Sequence, residues 1–260
     1  MEVVIVDTPE QAAVVATEAI TRLFRNPRAV LGAATGSSPL GVYDELGRRV
    51  AAGDLSLAEA RVFMLDEYVG LPAEHPQRYR TVLQRDLVDK VDVDPAHVHG
   101  PDGLAPDVPA ACLAYERAIA DAGGVDLQIL GLGTDGHLAF NEPGSSLASR
   151  TRIKTLTAQT RSDNARFFDD DPDQVPRHCL TQGLGTIMEC RHAVVLAAGR
   201  GKAQAVHQVV EGPVTALWPG SVLQLHPHVT VIVDRPAASR LQLAQYYEET
   251  WSNKPPWQGI

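Results

Sequence analysis

Residues Asp126–Lys154 read DLQILGLGTDGHLAFNEPGSSLASRTRIK. The opening run, Leu127-Gln128-Ile129-Leu130, is short, apolar and closed by a glycine, the pattern of a buried strand. Gly131, Gly133 and Gly136 then permit a tight, backbone-exposed turn at the strand's carboxyl end. Asp135, His137, Asn141 and Glu142 crowd the next positions, before Pro143 and Gly144 interrupt the chain. Open α/β sheets bind their ligands there, outside the carboxyl ends of the strands. The spacing D-x-H-x4-E lets Asp135, His137 and Glu142 meet in one pocket. An imidazole exchanges protons near neutrality, and a neighbouring carboxylate fixes its tautomer and direction. The plainer alternative is a polar loop in which Asp and Asn only cap a turn. Three ionisable groups beside one glycine turn favour a site, because such groups cluster where chemistry is done.

Gly131–Gly136 also fits G-x-G-x-x-G, the dinucleotide fingerprint. That fingerprint opens a long helix and finds an acidic residue roughly 20 positions on. Here Pro143 and Gly144 intervene, and Arg150, Thr151, Arg152 and Lys154 stand where the acid belongs. NAD is rejected.

With 260 residues the chain has room for one large domain or two small ones. Its 44% hydrophobic and 21% charged content is ordinary for a globular protein. A net charge of −9 argues against a general nucleic-acid binder, which needs a basic face. A small anion remains a candidate ligand wherever cations converge locally. Cys112, Cys179 and Cys190 are scattered, odd in number and without metal spacing, and read as reduced thiols of a cytoplasmic protein. No signal-peptide pattern or 18-residue apolar run occurs, so neither secretion nor a membrane span is expected.

Outward from the central stretch, strands and helices alternate. Val3–Val6 is a β-branched strand, and Pro9 opens a helical pattern through Ala13, Val14, Ala19, Ile20 and Leu23. Ala29–Ala33 is a second buried strand, followed by Thr35-Gly36-Ser37-Ser38-Pro39 and by Leu40, Tyr43, Leu46 and Val50 at helical spacing. Such a strand, Gly/Ser turn and helix aims backbone N–H groups, hydroxyls and the positive end of a helix at one spot, which suits a phosphate. An ordinary N-cap by Ser37 or Ser38 reads equally well on this stretch alone. Arg61–Leu65 is a third strand, ending at the acids of Asp66-Glu67-Tyr68. Asp107–Ala122 is helical with Asp107 as cap, and Ser162–Pro176 is a loop or short helix near the site. Val194–Ala198 and Val229–Val233 are further strands, with a helix through Ala205, Val206 and Val209 and a last one over Ala237–Trp251. This alternation predicts an α/β fold: a single-domain open, mostly parallel sheet of Rossmann-like type, with helices on both faces, spanning residues 1–260.

The segments LGAATGSSPLGVYDEL, FMLDEYVGLPAEHPQRY and LGLGTDGHLAFNEPGSSLASRTRIKTL together closely resemble the glucosamine-6-phosphate deaminases, also called glucosamine-6-phosphate isomerases. RFFDDDPDQVPRHCLTQGLGTI, AAGRGKA and LQLHPHVTVIVD extend the likeness over nearly the whole chain. The resemblance implies an enzyme of amino-sugar catabolism that needs neither metal nor organic cofactor and turns glucosamine 6-phosphate and water into fructose 6-phosphate and ammonium. It implies His137 as the ring-opening group, Asp135 and Glu142 as the groups that orient and tune it, and Asp66 as the base that works between C2 and C1. It assigns the phosphate to Thr35, Gly36, Ser37, Ser38, Arg166 and Lys202.

Some relatives of this kind are hexamers activated by N-acetylglucosamine 6-phosphate bound between subunits, and Ser145, Ser146, Arg152 and Lys154 match that site. Others are smaller and unregulated. The chain departs from the pattern in its phosphate loop, Thr-Gly-Ser-Ser-Pro where Thr-Gly-Gly-Thr-Pro is common. Further departures are Trp218-Pro219-Gly220 and the unaligned Tyr246 and Tyr247, which leave hexamer formation and activation open. A 6-phosphogluconolactonase is the nearest rival enzyme, with a similar G-x-D-G-H turn, but it leaves Asn141-Glu142-Pro143 and Asp66-Glu67-Tyr68 unexplained. A sugar-phosphate-sensing regulator would need a DNA-binding module, and a catalytically dead sensor would be expected to lose some of the four residues Asp66, Asp135, His137 and Glu142.

Overall fold

A computed structural model describes residues 1–255 and 257–260, and each apolar run forms a strand whose ends fall within a residue or two of expectation. In chain order come β1 (Glu2–Val6), α1 (Pro9–Leu23), β2 (Val30–Ala33), α2 (Leu40–Ala51), β3 (Arg61–Met64), β4 (Asp66–Tyr68), α3 (Tyr79–Asp86) and β5 (Val98–His99). There follow α4 (Val108–Asp121), β6 (Leu127–Gly131), β7 (Arg152–Thr155), α5 (Ala158–Asn164), β8 (His178–Thr181) and α6 (Leu184–Ile187). The chain closes with β9 (His192–Ala197), α7 (Ala203–Val210), β10 (Val229–Asp234), α8 (Arg235–Ala238) and α9 (Ala244–Ser252).

Seven strands make one sheet in the order β1-β10-β9-β6-β2-β3-β5, and every pairing in it is parallel. A parallel sheet covered on both faces buries its strands entirely, so they read as unbroken apolar runs. β2, β9 and β10 are buried along their full lengths. Local signals start the helices as expected: Thr8 and Asp107 cap α1 and α4 by accepting the N–H groups of Gln11 and Ala110, each just ahead of a proline in the first turn.

Three expectations need correction. Asp66–Tyr68, expected as the acidic end of the third strand, is a strand of a second, antiparallel sheet, β4-β8-β7. The chain leaves the main sheet at Leu65, whose carbonyl accepts Gln182 N–H at 2.7 Å, while Met64 O accepts Gln182 Nε2 at 2.9 Å. The expected helix over 237–251 is two helices, α8 and α9. Glu211 accepts the N–H groups of Gln242 and Leu243 at 2.8 and 2.9 Å, so a distant carboxylate holds the backbone that a continuous helix would use. Finally, neither Ser37 nor Ser38 caps α2, whose N-cap is Pro39 with no side-chain bond.

A smaller apolar cluster lies beside the second sheet and gathers Tyr68, Leu71, Phe140, Leu156, Ala165, Phe168, Val175 and Cys179. The aromatic rings of Tyr79 and Phe140 stack at 5.9 Å, and Tyr68 lies 4.7 Å from Tyr79. This cluster ties the loop after β6 to the small sheet.

Candidate active site

From β2 the strand order runs outward to β3 and β5, and from β6 it runs the other way to β9 and β10. The crevice between β2 and β6 is therefore where the connection direction reverses, the place at which open sheets bind ligands. The 35–38 turn follows β2 and the 131–144 loop follows β6. A methyl group built on Gly131 would stand 3.3 Å from Ser38 Oγ, so the two loops touch. Tyr43, one turn into α2, donates to Ala34 O at 2.7 Å and accepts Ala34 N–H at 3.1 Å, which fixes the backbone just before Thr35. Gly36 takes a φ of +91°, and Gly36, Ser37 and Ser38 are exposed beside the half-buried Thr35. Their N–H and hydroxyl groups stand at the start of a helix, the arrangement that suits a phosphate.

In the second loop His137 Nδ1 lies 2.6 Å from Asp135 Oδ1, a close contact set off the line of a ring N–H donor. The same Oδ1 accepts His137 backbone N–H at 3.2 Å. Burial pushes the Asp135 carboxyl up, but the side-chain and backbone contacts of His137 outweigh it and leave the group below its ordinary value. The glycines serve this imidazole. A Cβ on Gly133 would stand 2.3 Å from His137 Nδ1, so the bare backbone is what lets the ring lie against the turn. Gly136 has a φ of +78° and packs under the Trp218 ring. Further on, Ala139 is held at a φ of +52°, a conformation that side chains resist and that surrounding bonds must enforce. Glu142 accepts from Thr157 Oγ1 at 3.2 Å and from Thr160 Oγ1.

Asp66 is only 6% exposed. Burial, and then the charge of Glu67, push its carboxyl up to about 8, so near neutrality it holds a proton that it can readily release. Glu67 points the other way along the strand and accepts the N–H groups of Tyr68, Tyr79 and Arg80 at 2.8, 2.9 and 2.9 Å, with the Arg78 guanidinium 3.5 Å away. Burial raises its carboxyl above the ordinary value despite these partners. Burial, and then the charges of Asp66 and Glu142, raise the proton affinity of the Cys179 thiol.

Lys202 follows β9 in a short 3-10 turn, next to β6 in the sheet. Burial pulls its ammonium below the ordinary value, Asp135 opposes this and Arg166 adds to it. Lys202 thus feels the charges of both Asp135 and Arg166. Arg166 is exposed, and its guanidinium lies 4.7 Å from the Phe167 ring centroid. The remaining expected residues lie on β7 and on the chain leading to it. Arg152 and Lys154 are half-buried on the edge strand β7, Ser146 is exposed, and Ser145 is buried with its hydroxyl unpartnered.

Thr181 and Gln182 are polar residues that the sequence does not mark as part of a site. Both are buried at the end of β8, in a segment whose polar and apolar residues follow no motif of their own. Their contacts run to Met64, Leu65, Phe140 and Asn141, all far away in sequence. The one sequence signal is polar residues closing an apolar stretch ahead of Gly183. Among the described residues, no three His, Cys, Asp or Glu side chains converge as metal ligands, and no helix is long and apolar enough to cross a membrane.

Residues 7–232 match the family described as glucosamine-6-phosphate isomerases/6-phosphogluconolactonase. A glucosamine-6-phosphate deaminase of Mycolicibacterium smegmatis is 67% identical over 261 residues, covering all of both chains. One from Streptomyces coelicolor is 59% identical over the same span. Among solved structures, a monomeric glucosamine-6-phosphate deaminase superposes with a TM-score of 0.89 at 38% identity, covering 92% of this chain and 100% of its own. The 6-phosphogluconolactonase from Trypanosoma cruzi shares the fold, with a TM-score of 0.73 at 21% identity over 93% of this chain and 97% of its own.

Proposed function

The chain belongs to the glucosamine-6-phosphate isomerase/6-phosphogluconolactonase family, and from that premise we propose that it isomerises and deaminates glucosamine 6-phosphate. Water enters, and fructose 6-phosphate and ammonium leave. The observation that carries the choice within the family is Asp66, a buried carboxyl on the short strand β4, where burial raises its proton affinity. An aldose–ketose shift needs a base that takes a proton from C2 and returns one to C1. Lactone hydrolysis has no such step.

In this reading the phosphate lies on Thr35, Gly36, Ser37 and Ser38 and is met by the fork of Arg166 and the point charge of Lys202. Its binding energy positions the reacting carbons at the other end of the sugar. His137, held by Asp135, moves the proton between the ring oxygen and the anomeric hydroxyl, and Glu142 sets the electrostatics of the loop. Asp66 then takes the C2 proton, the C1–C2 enolamine forms, and the same carboxyl protonates C1. Water attacks the resulting C2 imine, and the C–N bond breaks as ammonia takes up a proton. General acid–base assistance at each transfer is worth typically ~10²–10⁴ in rate.

Two finer readings accompany this one. Ser145, Ser146, Arg152 and Lys154 form a site for N-acetylglucosamine 6-phosphate as activator, at the edge of a homo-oligomer such as a hexamer. The paired cations on an exposed edge strand support it, whereas the buried Ser145 hydroxyl would have to turn outward. Three buried, unbridged cysteines support a cytoplasmic setting.

The test is ammonium release from glucosamine 6-phosphate by the purified protein, with and without N-acetylglucosamine 6-phosphate, alongside its sedimentation mass. Release is expected. None with either sugar would overturn the deaminase and leave the lactonase, whose assay is acid production from 6-phosphogluconolactone. A monomer that ignores the second sugar would remove the activator site alone.

A further inference from the structure

The groups assigned to ring opening and to proton transfer lie on separate pieces of chain, which must be held in register. His137 and Glu142 belong to the loop after β6, whereas Asp66 belongs to β4 in the other sheet. Thr181 stands between them. Its backbone pairs with Asp66 on one side and with Arg152 on the other, so all three occupy one rung of the small sheet. Residues on one rung project to the same face. The Thr181 hydroxyl donates to Gln182 O at 3.2 Å and accepts Phe140 N–H, also at 3.2 Å. Gln182 O in turn accepts Asn141 Nδ2 at 2.8 Å.

Phe140 N–H has little choice of partner. It follows Ala139, whose left-handed backbone turns the chain inward, and Thr181 is 0% exposed, so water does not replace the bond. A buried N–H without an acceptor is strongly disfavoured, and the loop would move to find one. The movement would carry His137 and Glu142 relative to Asp66.

We propose that Thr181 is a positioning residue, whose hydroxyl registers the His137–Glu142 loop against the Asp66 strand. The inference rests on the deaminase reading, and its signature is a split between binding and turnover. The phosphate contacts of residues 35–38, Arg166 and Lys202 lie on other elements, so substrate binding survives while alignment is lost. Misplacing a reacting group by about 1 Å lowers rate by ~10²-fold.

The experiment compares the full chain with Thr181→Val, which keeps the shape and removes the acceptor, and with Thr181→Ser, which keeps the acceptor. Ammonium release from glucosamine 6-phosphate and hydrogen exchange of the 137–142 backbone are measured on all three. Thr181→Val is expected to lower kcat by ~10²-fold with KM within about threefold, and to speed exchange at Phe140. Thr181→Ser is expected to restore both. Wild-type kcat in the valine variant overturns the proposal, as does an equal loss in the serine variant. Should the wild-type protein release no ammonium, the deaminase reading falls. The exchange comparison then still decides the hydroxyl's role, since unchanged exchange at Phe140 in the valine variant overturns it.

Discussion

Asp66 is the residue on which the proposed chemistry turns. Asp66→Asn keeps the shape of the side chain and removes the base, so turnover is expected to fall by at least ~10²-fold while bound substrate still protects the protein from heat. Near-normal turnover would remove Asp66 as the base. Because only the ionised carboxylate can accept the C2 proton, kcat/KM of the wild-type protein is expected to climb with pH until about 8, where burial and Glu67 have set the group. A second single-residue test lies in the turn. Gly133→Ala would bring a methyl group 2.3 Å from His137 Nδ1, and the imidazole must swing away. The obstructed atoms belong to a rotatable side chain, so the fold should persist while kcat falls by ~10²-fold. A variant with wild-type kcat would show that the ring is not needed where it lies.

The element that holds Asp66 is the short strand β4, and a three-residue strand is not stable by itself. It is held on one edge by β8 and from behind by Glu67, whose carboxylate gathers the N–H groups of Tyr68, Tyr79 and Arg80. The last two are the first N–H groups of α3, so one side chain caps a helix and fastens it to the strand. Glu67→Ala leaves three N–H groups without their acceptor and the Arg78 guanidinium without a counter-charge. The expected loss is on the order of 3 kcal/mol in urea unfolding. Loss of under about 0.5 kcal/mol, the range of ordinary surface substitutions, would mean that the clip does not hold the strand.

For the whole molecule, a buried proton-holding carboxyl links stability to pH. The Asp66 carboxyl titrates at about 8 in the folded protein against an ordinary value of 3.8, so between these the folded state binds more protons than the unfolded one. Its contribution to stability is complete below the lower value and is lost as pH rises through the upper one. The amide that the Asp66→Asn variant carries in its place does not titrate. The variant's melting temperature relative to wild type is therefore expected to rise between about pH 5 and about pH 9. A constant difference across that range would show that Asp66 titrates normally. Such a group weakens the fold as pH rises, the kind of trade that active sites make.

The parallel sheet was legible in the sequence because its strands are buried on both faces, and full burial writes itself as short apolar runs closed by glycine or polar residues. The 131–142 loop and the 35–38 turn were legible for a related reason, since a backbone that turns with positive φ or packs against a ring needs Gly at fixed places. β7 and β8 were not. RIKT alternates on an exposed edge and HCLT begins exposed, so neither carries a strand's usual signature; β7 is a strand only because β8 pairs with it, and β8 because β4 and β7 pair with it. The division of 235–252 into two helices was hidden in the same way, because the acceptor that ends the first stretch is Glu211. Sequence alone thus determined which residues have the chemistry to act and which strand ends bear them. Tertiary structure alone decided that Asp66 is buried beside Glu67 and bound through Thr181 to the histidine loop, because a pairing partner and a local dielectric are properties of neighbours that the chain brings together only when folded.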